Sequence, residues 1–88
     1  MEHLLDVRAL EPCEPLQRSL ESCRGLRAGD YLKVLHRREP HLLYPMLEKL
    51  DFNWHCLAVA QADFEIFIWR SDDAVADSDV RKVLATRC

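Results

Sequence analysis

Apolar and polar positions alternate along this chain with a period that changes from block to block, and the blocks predict the order of its elements. Leu4, Leu5 and Val7 supply the partly β-branched content of a short opening strand. Pro12 breaks it, and Pro15 has the fixed φ that suits the first turn of a helix. Leu16, Leu20 and Cys23 then recur at helical spacing, with Gln17, Arg18, Glu21 and Arg24 on the other side. This predicts an amphipathic helix from Pro15 to Cys23, with Gly25 placed to end it. Ala28-Gly29-Asp30 is a turn signal, and Tyr31 to His36 alternates as a second strand with Leu32 and Val34 toward the core. Strand, helix and strand together make a parallel unit with a right-handed crossover.

Arg37-Arg38-Glu39-Pro40 leads into a second helix whose apolar stripe is Leu43, Met46, Leu47 and Leu50. Pro45 must lie in its first turn, so the helix begins near His41 or Leu42. Asp51-Phe52-Asn53 closes it, and Trp54 to Ala60 reads as a third strand. A tight Gln61-Ala62-Asp63 connection joins it to a fourth strand, Phe64 to Arg70, as a hairpin. Phe64, Ile66 and Ile68 form one apolar face of that strand, but Phe67 and Trp69 occupy the other and need cover from the tail or from a partner chain. In the tail, Ser71 to Ala76 is acidic and loop-like, and Ser78 is placed to cap a short helix over 78–86 carrying Val80, Val83 and Leu84. The order implies an α+β fold, a two-layer α/β sandwich of β-α-β-α-β-β order. Its four-stranded mixed sheet carries both helices on one face, with residues 1–70 as the domain and 71–88 as a tail.

Composition narrows what such a domain does. A chain of 88 residues buries only about 60% of its unfolded surface, which leaves little room for a deep active site. The formal net charge of −3 argues against a general nucleic-acid binder, because phosphate neutralisation needs a basic surface. Cys13, Cys23, Cys56 and Cys88 have no Cys-x-x-Cys spacing and no leader precedes them, which favours free thiols in a reducing cytoplasm. No apolar run approaches the roughly 20 residues of a membrane span. Walker, Gly-rich nucleotide-binding and Gly-x-Ser-x-Gly signatures are absent, so no cofactor is expected. His3, His36, His41 and His55 have no spacing that puts two on one helical face, so no metal is expected either.

Chemistry concentrates at one edge of the expected sheet. Parallel strands have their C-terminal ends side by side, so the loop from Arg8 to Pro15 and the loop from His36 to Pro40 converge where open α/β sheets bind ligands. Cys13 would sit just before a helix N-terminus, where a thiolate or persulfide is stabilised. Arg8, His36, Arg37 and Arg38 would meet it there and form a positive concavity suited to a small anion. His36 or His41 would complete an imidazole–thiolate pair with Cys13. The competing assignment pairs Arg8, Arg37 and Arg38 with Glu11, Glu14 and Glu39 on a solvated surface, where such pairs contribute about 0–1 kcal/mol each. Cys23 and Cys56 read as small core residues.

The residues Leu5, Asp6, Leu10 and Pro15 fall on a known signature, Leu-Asp-x-x-Gly-Leu-x-Cys-Pro-x-Pro. By these positions the chain resembles the TusA-like (SirA-like) sulfur-carrier family, with Ala9 in place of the glycine and Pro12-Cys13 inverting the Cys-Pro pair. The family's sulfur-carrying cysteine therefore aligns with Pro12. Leu5-Asp6-Val7-Arg8, Glu14-Pro15, Arg38-Glu39-Pro40, Leu43-Tyr44-Pro45 and Asp51-Phe52 resemble more closely an uncharacterised bacterial branch of that fold, a domain of unknown function that generally lacks the cysteine. The resemblance covers residues 3–70 and implies the same two-layer sandwich. The expectation is a non-enzymatic domain that binds an anionic ligand or a protein partner through the convergent loops, as a monomer or weak dimer, in the setting of sulfur or redox metabolism. The alternative is a carrier that holds a persulfide on Cys13 and passes it on.

Overall fold

The computed structural model describes residues 1–9, 14–59 and 63–87. Its elements are β1 (Glu2–Asp6), α1 (Glu14–Arg24), β2 (Tyr31–His36), α2 (Leu43–Lys49), β3 (Phe52–Ala58), β4 (Phe64–Arg70) and α3 (Ala74–Arg87). The four strands form one mixed sheet in the order β1-β2-β4-β3. β1 runs parallel to β2, with Asp6 opposite Leu35. β4 is antiparallel to both neighbours, with Ile66 opposite Val34 of β2 and Cys56 of β3. This is the expected α+β architecture.

Strand alternation divides the apolar side chains between two faces. On one, Leu32 and Val34 of β2 and Ile66 and Ile68 of β4 are buried against Cys23 of α1 and Leu43 and Leu47 of α2, with Leu16 and Leu20 packed alongside. Both crossover helices therefore lie on the same face. Only part of the expected α2 stripe is covered, however. Leu43 and Leu47 are buried, whereas Met46 is 39% and Leu50 42% exposed and Leu42 at the helix entry is 81% exposed. A helix of 7 residues reaches the sheet with one short row, and the row beside it stays outside.

The tail adds a third layer. α3 lies against the second face, where Phe67, Trp69 and Tyr31 form a separate core with Ala76 and Val80. Trp69 Nε1 donates to Asp77 Oδ1 at 3.2 Å, so the indole is satisfied from the helix that covers it. The expected short helix over 78–86 is replaced by one that starts at Ala74, because Asp73 and not Ser78 is the cap. Asp73 Oδ1 accepts the Ala76 N–H at 3.0 Å and its carbonyl accepts the Asp77 N–H at 3.0 Å. The third strand is also shifted, starting at Phe52 and running to Ala58. Asp51, at φ 62°, makes the left-handed turn that ends α2. Its carbonyl accepts the Ser71 N–H at 2.9 Å and ties the start of β3 to the end of β4.

Candidate functional site

The parallel pairing of β1 and β2 fixes where the loops leave the sheet. It continues one step past β1, where the Val7 N–H donates to the Leu35 carbonyl at 3.0 Å. Beyond His36 the chain must climb to the helical face to enter α2, and in doing so it leaves a cavity of about 500 Å³ against α1. Leu16, Gln17 and Ser19 line it from α1, and His36, Arg38 and Pro40 line it from the loop. Glu39, His41, Leu42 and Leu43 complete its outer side. A cavity at the C-terminal end of a parallel strand is the usual ligand position in open α/β sheets, and its size is that of a small-molecule site.

His36 is half-buried at the mouth of the cavity, and the Arg38 backbone N–H donates to its Nδ1 at 3.1 Å. Burial, and after it the Arg38 charge, pull its pKa below the ordinary histidine value. The ring is therefore neutral near neutral pH, and because Nδ1 accepts, Nε2 carries the proton as a donor. The Arg37 and Arg38 side chains are exposed, and among the described residues neither has a carboxylate within ion-pair distance. Glu39, the acid between them and α2, is engaged elsewhere. It accepts the Tyr44 hydroxyl at 3.3 Å and lies 3.9 Å from His41 Nδ1. Tyr44 in turn stacks on Trp54 with ring centroids 5.3 Å apart, which anchors α2 to β3. Burial raises the Tyr44 hydroxyl pKa, helped by Cys56 and Glu39, and burial also raises that of the Cys56 thiol.

Arg8 stands apart from this cavity. Its Nε and Nη2 reach the two oxygens of Asp6 at 3.0 and 2.9 Å, a bidentate pair. Nη1 reaches Asp63 Oδ2 at 3.4 Å, from the residue that precedes β4. The hydrogen bonds from Arg8 hold the Asp6 carboxyl down at about 2. Arg8 thus straps the end of β1 to the start of β4 across the end of β2, with each of its three nitrogens engaged by a carboxylate.

Of the residues singled out from the sequence, His36 and Arg38 meet at the cavity, Arg37 is exposed beside them, and Arg8 is held away. Cys13 lies outside the described residues. Cys23 is fully buried in the core and burial pushes its thiol up to about 12, which makes it unreactive. Sequence reasoning passed over Ser19. It is 1% exposed, and its Oγ has no hydrogen-bond partner among the described residues. The signal was present: Ser19 interrupts the apolar stripe of Leu16, Leu20 and Cys23, where a polar residue has no reason to be unless something meets it. No three His, Cys, Asp or Glu side chains among the described residues converge as a metal set. No helix among them is long and apolar enough to cross a membrane.

Residues 4–70 match the sequence profile of the family described as "Uncharacterized conserved protein (DUF2249)". The structure is similar to the crystal structure of a SirA-like protein from Desulfitobacterium hafniense, with a TM-score of 0.66 and 18% sequence identity over 77% of this chain and 95% of that one. At that identity the likeness is one of fold. No curated protein matches the chain in sequence.

Proposed function

This chain belongs to the DUF2249 family of uncharacterized conserved proteins, and from that premise we propose that it is a small non-enzymatic domain that binds an anionic ligand at the β2–α2 loop. The observation that carries this reading is the cavity of about 500 Å³ with Arg38 in its wall and no carboxylate paired to Arg37 or Arg38 among the described residues. Unpaired guanidiniums beside an apolar concavity suit an anion with an apolar body, because the charge is met at the rim and the body is desolvated within. Among the described residues, none that lines the cavity is a nucleophile with an orienting base, which favours binding over turnover.

The test is calorimetric titration of the full chain with phenylpropionate and, separately, with its uncharged amide. The carboxylate is expected to bind at least about tenfold more tightly, and the Arg37→Gln/Arg38→Gln double variant to lose that discrimination. Equal binding of acid and amide would overturn the reading.

A second reading has one observation in its favour. Leu42, Met46 and Leu50 form an exposed apolar row along α2 that begins at the cavity, and such a row suits a protein partner. Sulfur transfer through Cys13 is the third reading and is supported by the SirA-like fold alone. Intact mass after incubation with a cysteine desulfurase and cysteine separates it: a gain of one sulfur that Cys13→Ser abolishes would establish the carrier.

A further inference from the structure

The cavity has two unlike ends. At its rim Arg38 is exposed and Leu42 is 81% exposed, while at its floor Leu43 and Ser19 are each 1% exposed. Between them Leu16 and Pro40 give the walls their apolar surface, with Gln17, His36, Glu39 and His41 also on the lining. The floor carries a polar group that the fold leaves unsatisfied. A helical serine ordinarily turns its hydroxyl back to the carbonyl one turn earlier, yet Ser19 Oγ has no partner among the described residues. A buried hydroxyl in that condition disfavours the folded state, and alanine would suit both the helix and the core better.

Resting on the anion-binding reading of this site, we propose that its ligand is an amphipathic carboxylate with a second oxygen at the far end of its apolar body. The carboxylate meets Arg38 at the rim, the body fills the space between Leu16 and Pro40, and the Ser19 hydroxyl, closed to solvent in the unliganded chain, rotates about χ1 to pair with the remote oxygen on the floor. Each simpler ligand leaves part of the site unmet. A bare inorganic anion would satisfy Arg38 and leave the apolar walls empty, and a plain alkyl or aryl acid would fill the walls and leave the Ser19 hydroxyl without a partner. A hydroxyl donates and accepts, so the remote oxygen is an alcohol, a phenol or a carbonyl. The neutral His36, with Nε2 protonated, offers a further donor along the same wall without adding a charge that would pull the carboxylate inward.

The experiment compares two acids that differ by one oxygen, para-hydroxyphenylpropionate and phenylpropionate, by calorimetry on the full chain. The hydroxylated acid is expected to bind about tenfold or more tightly, since a site built to pair a buried hydroxyl rejects the analogue that lacks it. Ser19→Ala is expected to abolish that preference, keep the affinity for phenylpropionate and melt no lower than the parent. Arg38→Gln is expected to weaken both acids alike and leave the preference intact. If the parent binds the two acids equally, or Ser19→Ala retains the preference, this inference fails while the anion-binding reading stands. If neither acid binds better than its amide, both fail together.

Discussion

The two ends of the sheet use their polar side chains in different ways. At the end where β2 begins, side chains of several elements are paired with one another, while Arg27 in the α1–β2 loop is exposed. Asp30 Oδ2 lies 3.0 Å from His3 Nε2 of β1, and Asp73 Oδ2 accepts the Gly29 N–H at 2.7 Å while its other oxygen caps α3. The Arg70 guanidinium lies over the Phe52 ring, 5.3 Å from its centroid, and donates to the Leu26 carbonyl at 3.5 Å. These contacts join the α1–β2 loop, the β4–α3 turn and the strand ends into one unit. At the end where β2 finishes, Arg8 is paired in the same manner, but Arg37, Arg38 and Ser19 have no such partner among the described residues. Among the described residues, the contrast is between side chains that tie elements together at one end and, at the other, two exposed guanidiniums without a carboxylate partner near a buried hydroxyl without one.

The comparison breaks most readily at the arginines. Arg37→Gln/Arg38→Gln is expected to weaken phenylpropionate binding about thirtyfold, roughly 2 kcal/mol of charge-assisted hydrogen bonding, and to leave the thermal midpoint where it was. Neutralising the opposite end reverses the pattern. Asp30→Asn should lower the midpoint and leave the calorimetric titration unchanged. If the arginine variant melts early instead, those guanidiniums are structural and the two ends are alike.

Next in size is Gly29. Its φ of +83° lies in the left-handed region, and a Cβ built there meets Val75 Cγ1 at an ordinary 3.6 Å. The cost of Gly29→Ala therefore comes from the backbone, about 1–2 kcal/mol, measured by urea unfolding, with no effect on ligand affinity. Smaller and of opposite sign is Ser19→Ala at the other end. Removing an unpartnered buried hydroxyl should stabilise the unliganded protein by about 1 kcal/mol. A lower unfolding midpoint would mean that the hydroxyl supports the fold.

How much of this was legible in the sequence differs between the two ends for a physical reason. Local periodicity placed Tyr31–His36 and Phe64–Arg70 as strands without error, and the parallel unit was enough to bring His36 and Arg38 to one edge. What periodicity cannot carry is long-range pairing. Asp6 was visible two residues from Arg8, but Asp63 reaches it only through the sheet, and so Arg8 read as an anion ligand or a partner of the nearby glutamates when its partners are Asp6 and Asp63. Asp73 was hidden behind the stronger-looking cap at Ser78 because its second partner, Gly29, is supplied by a distant turn. Met46 and Leu50 were counted into the α2 core because their spacing fits one face, yet only Leu43 and Leu47 reach the sheet. Ser19 was legible as an interruption in a stripe. That its hydroxyl has no partner depends on the tertiary packing around it.

The finest test of the comparison is acid titration, because the cavity end adds a loss near neutral pH to the carboxylate losses that both ends share. Burial and the Arg38 charge lower the His36 pKa, so the unfolded chain binds a proton there before the folded chain does. A group with a depressed folded pKa contributes stability above its unfolded value, and that contribution is lost as pH falls, here from about 6.5 downward. Three carboxylates are also depressed, Asp6 chiefly by the side-chain hydrogen bond from Arg8 at the cavity end, Asp30 chiefly by the bond to His3 and Asp73 by the N–H groups of Ala76 and Gly29. Their reference value is a carboxylate's, so their contribution holds until about pH 4 and falls only below it. Urea unfolding across this range should therefore show a first loss below about pH 6.5 and a second below about pH 4. His36→Gln, which keeps an acceptor for the Arg38 N–H, should remove the first and spare the second, whereas Asp73→Asn should shrink the second and spare the first. If His36→Gln leaves the upper loss intact, the mouth of the cavity is not held in its neutral form by the fold. Protonation of Nδ1, which removes the acceptor for the Arg38 N–H, would then follow solvent pH alone.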